Sequence, residues 1–227
     1  IVIGGITVWK STNSGVNWTH CTSFNENGGF PYFHPDVHDV AYNPLNNWLY
    51  AASDGGLFKS VDFGATWTDL SPNIETSQFY HMCGWDGNIN KLMGGLQDNG
   101  VKYRLANSSA FYHVSGGDGF DVALDPVTGE PAYSTNNGLV TKYSNNGQSA
   151  NFYYPLMDSS FFKTIAIHNT DPDILIIGST NIIKTIDGCS SFTDEGASGS
   201  WALTSCPSNS TRFYSAGGIG YGNGSGA

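Results

Sequence analysis

A motif built around one lysine returns along this chain, and a sequence that repeats itself folds as a stack of like units. Lys10-Ser11-Thr12-Asn13-Ser14-Gly15-Val16-Asn17-Trp18 matches Lys59-Ser60-Val61-Asp62-Phe63-Gly64-Ala65-Thr66-Trp67 in outline. Lys184-Thr185-Ile186-Asp187-Gly188-Cys189-Ser190-Ser191-Phe192 is a weaker copy, and Lys142-Tyr143-Ser144-Asn145-Asn146-Gly147 is one without its aromatic. Lys102, after Gly100-Val101, fits the remaining slot with the turn eroded. The markers at 10, 59, 102, 142 and 184 keep a period of roughly 40–49 residues.

A second marker runs in phase with the first. His38-Asp39-Val40-Ala41-Tyr42-Asn43-Pro44 aligns with Phe120-Asp121-Val122-Ala123-Leu124-Asp125-Pro126, and the stretches from His81 and from Lys163 occupy the same slot. A short apolar strand follows each: Trp48 to Ala52, Lys91 to Gly95, Ala132 to Thr135 and Ile174 to Gly178. Then come a glycine turn, another short strand and the lysine motif. Short apolar runs bounded by Gly, Asn, Asp and Pro read as four strands per unit. Such a unit cannot bury both faces alone, so units stack against one another as the blades of a β-propeller. Five blades are visible in residues 1–216. Residues 1–20 begin inside a blade, Phe213-Tyr214-Ser215 reads as the start of another, and a segment of a larger propeller is preferred over a closed five-bladed ring. The Gly-rich stretch 217–227 reads as a loop or linker. Only Ser71 to Thr76 suggests a helical turn.

Composition agrees and narrows the partners. Glycine is abundant at 29 residues and charged residues make up only 12%, a mix suited to short strands and tight turns. The formal charge of -10, with Arg104 and Arg212 the only arginines, argues against nucleic acid and against an anionic membrane surface. No apolar stretch is long enough for membrane insertion. Cys21, Cys83, Cys189 and Cys206 lack metal-ligand spacing. Cys189 and Cys206 flank a Ser-rich segment and suit a bridge across a hairpin, whereas Cys83 reads as a buried free thiol. Low lysine with high Asn, Ser and aromatic content suggests a secreted or cell-surface protein.

The turn Ser60-x-Asp62-x-Gly64-x-Thr66-Trp67 resembles the Asp-box, or bacterial neuraminidase repeat, in its full form. The first copy has Asn13 for Asp beside Gly15 and Trp18; the last keeps Asp187 but has Cys189 for Gly and Phe192 for Trp. The box is a hairpin fastener: Asp accepts turn N–H groups, Gly takes positive φ, and the aromatic packs beneath. The runs Leu49 to Ser60, Gly95 to Gly100 and Gly116 to Asp121 are similar to secreted bacterial propellers of the sortilin and xyloglucanase type. That resemblance implies the fold and leaves function open, because the fold hosts many activities.

Several sites follow as candidates. The sialidases of this fold hold a carboxylate with three arginines, so two arginines argue against that activity. A xyloglucanase-type glycoside hydrolase needs paired carboxylates. Asp54 resembles the Asp of that family's Thr-Asp-Ile-Gly-Gly turn, with Asp118 or Asp121 as partner; the competing reading is that Asp54 and Asp118 shape glycine turns. The axial funnel is the better place for a binding site. The alignment puts His38, His81, Phe120 and Lys163 at equivalent positions there, followed by Asp39, Met82, Asp121 and Thr164, with His34 and Asp36 nearby. His34-x-Asp36-x-His38 is a weak divalent-metal motif, and no cofactor is otherwise required. Phe152-Tyr153-Tyr154 and Tyr32-Phe33 offer stacking faces for sugars, though packing between blades explains them equally well. The leading expectation is a non-catalytic binding or scaffold propeller for polysaccharide or extracellular protein, joined to other domains of a longer chain. A glycoside hydrolase and a structural module of a large extracellular assembly are the alternatives.

Overall fold

The computed structural model describes residues 1–25, 27–74, 76–136, 138–153, 163–198, 202–206 and 208–217. These residues form an all-β structure without a helix, so none is long and apolar enough to cross a membrane. The chain packs as two compact units, Ile1–Ser77 and Gln78–Ala227.

The first unit holds two antiparallel sheets. One runs β1 (Val2–Gly4), β2 (Val8–Lys10), β3 (Thr19–His20), and the other runs β4 (Val37–Asn43), β5 (Trp48–Ser53), β6 (Gly56–Ser60), β7 (Thr68–Asp69). In the second unit, β8 (Phe79–Trp85), β9 (Asn88–Leu96), β10 (Gly100–Arg104) and β11 (Phe111–Ser115) make one four-stranded meander. β12 (Gly119–Leu124), β13 (Ala132–Asn136), β14 (Leu139–Ser144) and β15 (Ser149–Tyr153) make the next. β16 (Thr164–Ile167), β17 (Leu175–Gly178), β18 (Asn181–Thr185) and β19 (Thr193–Ser198) make a third, followed by the hairpin β20 (Ala202–Cys206) and β21 (Asn209–Ala216). Four-stranded antiparallel meanders stacked face to face are β-propeller blades.

Burial explains the composition of the strands. Met93, Val101 and Tyr103 of one sheet pack with Val122, Leu124, Ala132 and Tyr143 of the next. Ala123, Tyr133 and Val140 on the opposite face meet Ile165, Leu175, Ile177 and Ile183. A sheet covered on both sides loses the simple inside–outside alternation, and β13 is buried throughout. Its polar residues are satisfied: Ser134 Oγ bonds Tyr143 Oη at 3.0 Å, and Thr135 Oγ1 donates to Lys163 O at 2.6 Å. Glycine permits the closest approach. A Cβ at Gly95 would lie 2.5 Å from Phe120 O and 2.6 Å from Gly119 O, so backbone meets backbone there. The first unit has its own core of Val8, Cys21, Phe33, Ala51 and Phe58.

Lys10, Lys59, Lys102, Lys142 and Lys184 lie on β2, β6, β10, β14 and β18, the strand leading into each outer turn. Two of them lie over aromatic rings of the preceding strand, Lys59 Nζ 4.5 Å from the centre of Trp48 and Lys142 Nζ 5.6 Å from that of Tyr133. Three turns share one hydrogen-bond scheme. Asp62 Oδ1 accepts from Ser60 Oγ (2.8 Å), Ala65 N (3.0 Å) and Thr66 N (2.8 Å), while Gly64 N donates to Ser60 Oγ (2.7 Å). Asn13 Oδ1 accepts from Asn17 N, and Asp187 Oδ1 from Ser191 N, each at 2.8 Å. Gly15 and Gly64 have φ of 88° and 84°, and Cys189 takes the same left-handed region at 77°. Trp18 and Trp67 lie against their turn glycines, and Phe192 packs on the neighbouring core.

The structure departs from several sequence expectations. Asn145 and Asn146 both have positive φ, so the 142–147 copy closes as a different, tighter turn. The sixth sheet begins with β20 at Ala202, and Phe213-Tyr214-Ser215, read as the start of a blade, lies in its second strand, β21. Of the expected helical turn over Ser71 to Thr76, Ser71 to Ile74 makes one turn closed by Ile74 N donating to Ser71 O. Asn73 at a φ of 75° takes it out of the helical region, and Glu75 lies outside the described residues. Cys189 and Cys206 are free thiols, as are Cys21 and Cys83. Residues 218–227 of the expected linker, Tyr154 and the side chain of Phe152 lie outside the described residues.

Candidate functional site

The first strands β8, β12, β16 and β20 converge at one end of the second unit on a cavity of about 550 Å³. It is lined by Tyr80 and His81, by Phe120 and Asp121, by Lys163, Thr164 and Ile165, and by Ala202 and Leu203. The structure thus gathers His81, Phe120, Asp121, Lys163 and Thr164, which the aligned markers placed in the funnel. Tyr80 was missed for a local reason. The β8–β9 register jumps between Phe79 and His81, and the β12–β13 register between Gly119 and Val122. A bulge turns an extra side chain toward the site, and it leaves no reliable mark in a single sequence. The Tyr80 and Phe120 rings sit 5.2 Å apart, tilted by 47°.

Asp121 accepts three hydrogen bonds. Its Oδ1 accepts from His81 Nδ1 and from Val122 N (2.8 Å), and its Oδ2 accepts from Ile165 N at 2.8 Å. One carboxylate therefore joins three successive sheets. The bond to Asp121 raises the His81 imidazole above its usual pKa, against the opposing effect of desolvation. Lys163 is 2% exposed, and its Nζ donates to the buried Ser179 Oγ at 2.6 Å. Ser179 was also missed, because it lies in the next turn and lacks a motif of its own.

Asp98 lies in the β9–β10 turn and Asp118 just before β12. The β9–β10 turn is held against β8 by Gln97 N donating to Gln78 O (3.0 Å), and Asp98 N donates to Asp118 Oδ1 (3.0 Å). Asp118 thus accepts from a neighbouring turn and not from its own. Burial first, then the charges of Asp118 and Asp98, raise the Tyr80 phenol above its normal pKa.

The remaining candidates lie in the first unit. His38, exposed on β4, bonds Asp54 Oδ1 in the β5–β6 turn; this bond and the carboxylate's charge raise its pKa. Asp39 Oδ1 accepts from Val40 N at 2.9 Å, as Asp121 does from Val122 N. The His34 ring lies against Gly55, with Nδ1 3.2 Å from Pro35 O, and Asp36 is exposed at a φ of 61°. Among the described residues, His34, Asp36 and His38 do not bring three ligand atoms within 4.8 Å of one another.

No family model and no curated protein matches the chain. Matching solved structures include an ancestral GH74 enzyme, 18% identical over 92% of this chain and 31% of that one, with a TM-score of 0.47. An auxiliary nutrient binding protein from Bacteroides thetaiotaomicron is 14% identical over 74% of this chain and 44% of its own, with a TM-score of 0.44. YCF48 bound to D1 peptide is 12% identical over 87% and 65%, with a TM-score of 0.45. The chain spans less than two thirds of each of these structures.

Proposed function

We propose that the chain is part of a secreted or cell-surface Asp-box propeller that binds an extracellular protein or polysaccharide at the β8–β12–β16–β20 pocket without catalysing a reaction on it. The observation that carries this reading is the state of Asp121. A general acid or base needs a proton site facing its substrate, and both oxygens of this carboxylate already accept hydrogen bonds, from His81, Val122 and Ile165. A ligand meets a largely apolar wall with two aromatic rings, the exposed His81 ring and Thr164, the usual make-up of a binding pocket.

The test is a screen of β-glucans, xyloglucan and extracellular protein fractions for retention on the immobilised chain, run beside a reducing-end assay. Retention without product release is expected, with Phe120→Ala weakening it. Product release abolished by Asp54→Asn would overturn the reading in favour of a glycoside hydrolase using Asp54 with Asp118 or Asp121.

A further inference from the structure

Alternation along β17 and β18 sends side chains to both faces of the β16–β19 sheet. Leu175, Ile177 and Ile183 go to the core shared with the preceding sheet. Ile176 and Lys184, partners in the β17–β18 register, go to the other face. There they line a second cavity, of about 390 Å³, with Ile174, Ile186, His168, Glu195 of β19 and Phe213 of β21. The Phe213 ring stands 6.3 Å from that of His168. His168 follows β16 at the far end of the strand from Thr164 and Ile165, which line the first pocket.

Three polar groups of this cavity have bonding capacity left. His168 is only 8% exposed. Its Nδ1 accepts from Asp171 N at 3.1 Å and from Thr170 N at 3.3 Å, which keeps the ring proton on Nε2. Among the described residues nothing accepts from that Nε2, and neither Lys184 nor Glu195 is in an ion pair, with each other or with another group. Glu195 accepts from Thr193 Oγ1 at 3.4 Å. A buried donor without an acceptor carries a free-energy cost that a ligand can remove.

We infer that this cavity is a second binding site, independent of the pocket proposed above, for a small zwitterion with an apolar side chain: a free aliphatic α-amino acid. Lys184 and the Nε2–H of His168 supply donors for its carboxylate, and Glu195 supplies an acceptor for its ammonium. Ile174, Ile176, Ile186 and Phe213 offer a surface for its side chain. A neutral sugar would leave both charges unanswered, and three isoleucines are a poor substitute for the flat aromatic platform that sugars favour. A simple anion or cation would gain from one charge and be repelled by the other.

The experiment titrates the intact chain with leucine, glycine, N-acetylleucine, isoamylamine and glucose, followed by calorimetry and by the NMR shift of His168 Nε2. Leucine is expected to bind most tightly. N-acetylleucine, which lacks the ammonium, should bind about threefold more weakly. Isoamylamine, which lacks the carboxylate, and glycine, which lacks the side chain, should each bind about tenfold more weakly. His168 Nε2 should shift with leucine and N-acetylleucine but not with isoamylamine. Glu195→Gln should weaken leucine about threefold and leave N-acetylleucine unchanged, while Phe120→Ala in the first pocket should change neither. Glycine, N-acetylleucine or isoamylamine binding as tightly as leucine, tighter binding of glucose, or no saturable binding of leucine would each overturn the assignment. So would loss of leucine binding in Phe120→Ala, which would put the ligand in the first pocket instead.

Discussion

The two compact units are fastened differently. In the first, both full turns of the Ser-x-Asp/Asn type close outer hairpins, and the His38–Asp54 pair lies within one sheet and open to water. In the second, the corresponding residues reach across sheets. His81 bonds an aspartate of the next sheet, that aspartate bonds the sheet after it, and Thr135 and Asn136 add bonds to Lys163 O and Gly116 O. A repeat can therefore keep its residue types and change what they hold: hairpins in one region, seams between blades in the other.

The largest test of this contrast is Asp121→Ala against Asp54→Ala. Losing Asp121 strands two backbone N–H groups and is expected to cost about 3 kcal/mol in urea unfolding. The Asp54 change should cost under about 1 kcal/mol, as exposed pairs do. Equal losses would break the comparison. Gly95→Ala pushes a methyl into fixed carbonyls of the neighbouring sheet and should cost about 2 kcal/mol or more. Gly64→Ala meets only ordinary contacts, the nearest being Trp67 at 3.7 Å, so its cost is the left-handed backbone alone, about 1 kcal/mol.

Acid sharpens the contrast within the first unit. Hydrogen bonds from Thr66 and Ser60 lower Asp62 to a pKa of about 2. A depressed carboxylate contributes stability above its unfolded pKa of about 3.9 and loses it as pH falls through the folded value. Amide exchange at Thr66 should thus quicken between about pH 4 and pH 2, while Asn17, held by the un-ionisable Asn13, keeps its protection apart from intrinsic exchange. The smallest effect is expected at His81. Its raised pKa means that its contribution is complete below about 6.5 and fades as pH climbs through the folded value. A melting-temperature difference between wild type and His81→Gln that narrows toward alkaline pH is the expected result; one that widens would place the proton elsewhere.

How much of this was legible follows from how local each feature is. The repeat, the strands and the three fastened turns were readable because glycine, aspartate and aromatic residues act within one hairpin. Cys189 at a glycine position makes that copy a weaker match in sequence, yet the turn keeps its geometry with a side chain buried in the core. The funnel residues on β8, β12 and β16 were reached by aligning markers. Tyr80 was not, because a bulge breaks the two-residue alternation on which alignment depends. Asp121 was noticed for its chemistry, and its role emerged only when residues 40 positions or more away, His81 and Ile165, came to its oxygens. The tight 144–147 turn keeps the lysine and glycine of its neighbours without their aromatic, and only the structure shows that its backbone angles differ too.

The hairpin turns also bear on the order of events in folding. Each Ser-x-Asp turn joins groups only four residues apart, as from Asp62 to Thr66, so little chain entropy opposes its closure. The seams through Asp121 bring together residues from three sheets and wait on long-range search. Outer strand pairs are therefore set to form on their own, each a small preassembled plate, before the slower docking of plate against plate begins.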